Sequence, residues 1–130
     1  MRTELKAEVE IQVPFHDVDA MHYVWHGHYY KYFEVVRTKL FQSIDYDVLQ
    51  MKASGYSWPI IETSCKYVQP MLYNQLIQVS AKIQEYENRL KIIYRISDAK
   101  TDEKLATGHT TQVAVDMKNN ECVLCHPRFC

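Results

Sequence analysis

Thirteen consecutive positions, His16 to His28, hold four of the chain's six histidines together with two aspartates, Asp17 and Asp19. Such a cluster suits metal binding, acid–base chemistry or the ordering of a polar turn. His22, His26, Asp17 and Asp19 are all of ligand type, but no His-Glu-x-x-His pair sets two imidazoles on one helical face, so no metal is expected. Aspartates also order loops by accepting from nearby amides, and that is the reading for Asp17. Asp19 and His26 differ because a helix expected from about His28 aims its unpaired amides and the positive end of its dipole back at this loop. A carboxylate and an imidazole beside such an oxyanion-binding end can form a hydrolytic site.

The elements that must hold this loop can be read from periodicity. Residues 5–13 place Leu5, Ala7, Val9, Ile11 and Val13 on one side of a strand that Pro14 closes. No Gly or Pro occurs from His28 to Ser54, and Tyr29, Phe33, Val36 and Leu40 recur at helical spacing, giving a helix of about three to four turns. Asp45 is a start signal for a second short helix through Val48, Leu49 and Met51, with Gly55 just past its end. Strands are then expected over 57–69, 75–87, 90–97 and 104–116, with Glu87-Asn88-Arg89 as a hairpin turn. The last of these carries Leu105, Thr107, His109, Thr111, Val113 and Val115 on one face. The order strand, loop, helix and four antiparallel strands predicts one α+β domain over 1–130, with the helix lying across a curved sheet of about five strands.

Composition removes several functions. Fifteen Lys plus Arg against sixteen Asp plus Glu, with no long run of one sign, argue against nucleic acid as a partner. Three scattered glycines, Gly27, Gly55 and Gly108, cannot build a dinucleotide fingerprint or a P-loop. Gly55-Tyr56-Ser57-Trp58-Pro59 lacks the second glycine of a nucleophile elbow. No apolar run is long enough to span a bilayer. The charged N-terminal segment Met1–Glu8 does not read as a signal peptide, so a cytoplasmic location is expected, with Cys65, Cys122, Cys125 and Cys130 as free thiols. Cys122-Val123-Leu124-Cys125-His126 formally matches c-type haem attachment, but that chemistry requires export. The same tail offers zinc ligands from nine consecutive residues, where structural zinc sites draw on two separated pairs. No cofactor is expected.

Further along the helix, Glu34 and Arg37 are spaced for an ion pair. Tyr29, Tyr30, Tyr32 and Phe33 form an aromatic stripe read first as core and second as the lining of a pocket. His109 reads as a hydrogen-bonded core or interface histidine.

The stretch Phe15-His16-Asp17-Val18-Asp19-Ala20-Met21-His22-Tyr23-Val24-Trp25-His26, followed by Tyr29, Phe33-Glu34 and Arg37, resembles the acyl-CoA thioesterases of the hotdog fold. It is similar to the 4-hydroxybenzoyl-CoA thioesterase family and its tol-pal-associated branch. Lys66-Tyr67-Val68-Gln69-Pro70 through Tyr73-Asn74 is similar to that family's strand ending in Tyr-x-x-Pro, and the similarity covers nearly the whole chain. Phe15, His22 and His28 depart from it, standing where tyrosine, glycine and Asn or Ser are usual.

The resemblance implies a helix wrapped by an antiparallel sheet, with two protomers joined edge to edge, sites at their interface, and dimers assembling into a homotetramer. It puts Asp19 on the catalytic aspartate and His26 on the branch's histidine. Tyr23, Val24, Trp25, Gly27 and Tyr29 are implied to contact substrate, and amides near Val24 to Gly27 to polarise the carbonyl. The implied activity is hydrolysis of acyl-CoA, or of an acyl carrier protein thioester, with Asp19 as general base or as nucleophile. A non-catalytic acyl-thioester binding or scaffold protein of the same fold is the alternative. The chemistry needs few parts, because a thiol with a pKa of roughly 8.5 leaves without much help from an acid.

Overall fold

The computed structural model describes residues 5–44, 53, 55–86, 89–116, 118 and 121–122. Five strands form one antiparallel sheet: β1 (Lys6–Gln12), β3 (Ile60–Tyr67), β4 (Leu76–Glu85), β5 (Leu90–Asp98) and β6 (Lys104–Gln112), in the order β1-β4-β5-β6-β3. Among the described residues one long helix, α1 (His28–Ser43), lies across one face of it. Three short strands, β2 (Tyr56–Ser57), β7 (Val115–Asp116) and β8 (Glu121–Cys122), make a second small sheet. This is the hotdog fold expected from the sequence, with the five-stranded sheet curved and not closed into a barrel.

In β1 the residues Ala7, Val9 and Ile11 are partly covered while Lys6, Glu8, Glu10 and Gln12 stay in water, the period-two pattern of a sheet's first strand. In α1 the buried positions are Tyr29, Tyr32, Phe33, Val36, Leu40 and Phe41, one stripe at three- and four-residue spacing. The stripe presses on Ile77, Val79, Ile92, Tyr94 and Ile96 of β4 and β5. Phe33 stacks on Tyr94 with ring centroids 4.5 Å apart and planes 11° from parallel. Beneath that ring lies Gly108, where a Cβ would stand 2.5 Å from the Ser64 carbonyl oxygen and 2.6 Å from the Phe33 ring. Glycine at this position lets helix and sheet approach.

Two of the expected strands are broken. The segment 57–69 divides into β2 and β3 around Trp58-Pro59, because proline has no N–H for the ladder. The segment 104–116 divides into β6 and β7: the Val113 amide donates to the Pro59 carbonyl (3.3 Å), and the chain crosses into the small sheet with Val115 opposite Ser57. Thr107 and His109 share a face turned away from α1, but Leu105 is the extra residue where the β5–β6 register shifts and is buried in the core, and Thr111 is buried too. Thr110, on the helix side, bonds the buried Tyr94 phenol. On the outer face His109 is hydrogen-bonded to Glu62 of β3 at 2.9 Å. The short helix expected from Asp45 and the turn at Glu87-Asn88 lie outside the described residues, as do Cys125, His126 and Cys130.

Candidate active site

Between β1 and α1 the chain makes a 3-10 turn (Phe15–Asp17) and then a tight hairpin, bridged at Val18 and Val24. Across the hairpin the Asp19 amide donates to the Tyr23 carbonyl (2.8 Å), and the His22 amide donates back to the Asp19 carbonyl (2.9 Å). His22 closes this turn at φ 66°, in the left-handed region where glycine is favoured. The Met21 amide donates to Asp19 Oδ1 at 2.9 Å, which fixes the carboxylate and leaves Oδ2 without a partner among the described residues.

Asp17 plays a different part from the one expected. Its carboxylate is 1 % exposed and is bonded by helix side chains, Lys31 Nζ and the Tyr32 hydroxyl (2.6 Å). Burial alone would raise its pKa; the bonds from Lys31 and Tyr32 and the Lys31 charge outweigh burial and hold it below the ordinary carboxylate value. Burial, with Asp17 as neighbour, pushes the Tyr32 phenol up. The turn is thus pinned to α1 by Asp17, while the carboxylate that accepts a nearby amide is that of Asp19.

Of the backbone amides from Val24 to Gly27, two are already committed. Val24 N–H donates to the Met71 carbonyl (2.8 Å) and Trp25 N–H to the Asp17 carbonyl (3.1 Å). Those of His26 and Gly27 have no partner among the described residues. They sit at the N-terminal end of α1, where the helix dipole adds to their pull on a negative oxygen. Gly27 has an ordinary helical φ of −67°. What it supplies is room: a Cβ there would be 2.2 Å from the Trp25 ring, which lies over it.

Asp19, Tyr23, Val24, His26 and Tyr29 line one open cleft of about 350 Å³, while Trp25 and Gly27 flank it. Its opposite wall is Tyr67, Val68, Gln69 and Pro70, the end of edge strand β3. These four were not identified as site residues from sequence, although the Tyr-x-x-Pro pattern that contains them was the available signal. Tyr67 reaches across the cleft, donating its hydroxyl to the His26 carbonyl (3.2 Å) and meeting the Tyr29 ring edge-on at 4.7 Å. Burial and the neighbouring Cys65 thiol push the Tyr67 phenol up to about 12, so it is a neutral donor at ordinary pH. Burial also raises the Cys65 thiol, which disfavours its nucleophilic thiolate. Tyr29, buried, is both core and cleft wall. His22, His26, Asp17 and Asp19 are not gathered into a ligand set: no group of three His, Cys, Asp or Glu among the described residues could hold a metal.

A curved antiparallel sheet with one long helix across it is the fold of the thioester hydrolases that this chain matches. The chain belongs to the thioesterase-like superfamily, which it matches over residues 13–129. Among similar proteins is one of Aquifex aeolicus (strain VF5) provisionally named an esterase, 26% identical over 112 residues, 86% of this chain and 85% of that one. The 1,4-dihydroxy-2-naphthoyl-CoA thioesterase of Synechocystis superposes with a TM-score of 0.83 at 19% identity, covering 92% of this chain and 88% of that one. A DHNA-CoA thioesterase of Staphylococcus aureus gives 0.81 at 22% identity, covering 92% and 80%. No helix among the described residues is long and apolar enough to cross a membrane.

Proposed function

We propose that this chain hydrolyses acyl-CoA thioesters to free acid and coenzyme A at the cleft beside Asp19. The supporting observation is that Asp19, with one carboxylate oxygen held by Met21 N–H and the other unpartnered among the described residues, shares a cleft with His26 at the N-terminus of α1. In this reading the thioester carbonyl oxygen points at the His26 and Gly27 amides. Asp19 either takes a proton from the attacking water or attacks the carbonyl carbon itself. The thiolate leaves as the tetrahedral centre collapses and takes up a proton. On the base route the acid is formed directly; on the nucleophile route the resulting Asp19–acyl anhydride is hydrolysed by water, which releases the acid and restores the carboxylate, with the His26 ring orienting water or substrate. Tyr23, Val24, Tyr29 and Tyr67 shape the acyl entrance, with the Trp25 ring beside the thioester. Within the superfamily we assign the chain to the 4-hydroxybenzoyl-CoA thioesterase family and its tol-pal-associated branch, on the motif from Phe15 to His26.

The working unit in this proposal is at least a homodimer, pairing into a tetramer. Among the described residues the outer edge of β3 has no neighbouring strand, and Ile60, Ile61, Tyr67 and Val68 are exposed along it, which supports edge-to-edge pairing. A cytoplasmic location belongs to the same proposal.

The test is direct loss of thioester absorbance over short, medium, long and aromatic acyl-CoAs, and one acyl carrier protein thioester, comparing the native chain with Asp19→Asn. Turnover by the native chain should fall by about 10²–10⁴-fold in the variant. An Asp19→Asn protein that is folded and equally active would remove Asp19 from the mechanism. A native chain that binds acyl-CoA in a calorimeter yet turns over none of these substrates would be a binding protein.

A further inference from the structure

About one turn further along α1, and four residues back along β3 from Tyr67, lies a second and more enclosed cavity of about 160 Å³. Phe33, Glu34 and Arg37 line it from the helix, Thr63 and Thr110 from the sheet. Tyr30, whose ring meets Phe33 at 6.0 Å, lines it on the side nearer Tyr29. Both cavities therefore lie between the same helix and the same edge strand. From Tyr29 to Arg37 the helix advances eight residues, or about 12 Å.

Arg37 is half-buried in this second cavity. One guanidinium nitrogen donates to the Tyr94 hydroxyl at 3.3 Å, and Tyr94 shares a 2.8 Å bond with Thr110. The ion pair with Glu34 expected from their spacing is not formed, and Arg37 makes none with any described residue. Glu34 is exposed, so water and salt screen its charge. A partly desolvated guanidinium bonded only to a neutral phenol keeps most of its five donors available, and a carboxylate is the group that takes two of them in one plane.

Resting on the thioesterase reading above, we propose that this cavity receives the far end of the acyl group and that Arg37 selects a carboxylate there. The preferred substrates are then monothioesters of medium-length dicarboxylic acids. The thioester sits at Asp19, the methylene chain passes Tyr30 and Phe33, and the terminal carboxylate pairs with Arg37.

Three probes of equal chain length separate the alternatives: suberoyl-CoA, ω-hydroxyoctanoyl-CoA and octanoyl-CoA. The native chain should hydrolyse suberoyl-CoA with a kcat/KM at least about tenfold above octanoyl-CoA, with the hydroxyl probe between them. Arg37→Met should bring that ratio to about one, and Arg37→Lys should keep part of it. Equal use of the three probes, preference for the hydroxyl, or a ratio unchanged in Arg37→Met overturns the assignment. Calorimetry on Asp19→Asn reads binding without turnover: suberoyl-CoA should bind more tightly than octanoyl-CoA, and adding Arg37→Met should erase the difference. If no acyl-CoA is hydrolysed while that difference holds, the thioesterase reading falls and the Arg37 pocket stands. If the two ligands bind equally, or neither binds, the pocket assignment falls even where hydrolysis depends on Asp19.

Discussion

The carboxylate of Asp17 accepts a 2.6 Å hydrogen bond from the hydroxyl of Tyr32, fifteen residues later and one turn into α1. Two residues beyond Asp17 comes Asp19, and Trp25 N–H closes on the Asp17 carbonyl, so one buried aspartate ties both ends of the candidate site loop to the helix. Removing it leaves the Tyr32 hydroxyl buried without its partner, whereas Lys31, 44% exposed, can turn to water. Asp17→Ala should therefore cost about 1–3 kcal/mol in urea unfolding, toward the lower end of what an orphaned buried group costs. Turnover should fall as well, because Asp19 would lose its fixed position relative to the helix end.

The same contact fixes a response to acid. The Asp17 pKa is lower in the folded chain than the ordinary 3.8, so its stabilisation is complete above that value and is lost as pH falls through the folded value. Urea midpoints of the native chain and Asp17→Asn, measured from about pH 5 to about pH 2, should converge as the solution becomes more acid. Asp98, held at about 2 chiefly by its bond from Gln75, is present in both proteins and cancels from the comparison. A gap that widened toward low pH would contradict the assignment.

Two glycines separate stability from site geometry. At Gly108 an added methyl meets the Ser64 backbone and the buried Phe33 ring, neither of which can give way cheaply. Gly108→Ala should lose about 1–3 kcal/mol, as overpacked cores do. At Gly27 the nearest atoms to the methyl are those of the Trp25 ring, which touches the His26 and His28 rings but is 51% exposed, so it can turn toward solvent. Gly27→Ala should change the urea midpoint little, shift tryptophan fluorescence, and impair turnover by moving an aromatic wall beside the helix end.

The sequence spelled out elements where one face is buried and the other wet. Ala7, Val9 and Ile11 alternate with charged residues, and Tyr29, Phe33, Val36 and Leu40 recur at helical spacing, so β1 and α1 were legible. It was less explicit where a strand changes partner. The break at Trp58-Pro59 and the crossing at Val113-Ala114 depend on which strands meet across the fold, which local periodicity does not encode. Leu105, Thr107, His109 and Thr111 alternate along the chain, but alternation encodes neither the register shift that buries Leu105 in the core nor which face meets the helix. In the site, the Asp19 turn lies within one short segment and could be read locally. Tyr67, forty-one residues from His26, joins the cleft only through the pairing of β3 with β6. Glu34 and Arg37 show the converse, since helical spacing permits a pair that Arg37 forgoes for the Tyr94 phenol.

His22 offers a last and independent check on how the loop is held. Its φ of 66° places an ordinary side chain in a conformation that costs about 1–2 kcal/mol relative to the right-handed region. Glycine removes that cost but has more freedom to lose on folding, about 0.5–1 kcal/mol. His22→Gly should thus stabilise the chain by about 0.5–1 kcal/mol, read as a higher urea midpoint with an unchanged slope. The turn is fixed by backbone bonds between Asp19 and its neighbours His22 and Tyr23, none of which needs the imidazole. Asp19-dependent turnover should accordingly stay within about twofold of native, well under the tenfold that 1.36 kcal/mol of barrier would produce. A large loss of activity in a stabilised His22→Gly protein would instead make the imidazole a participant in the site.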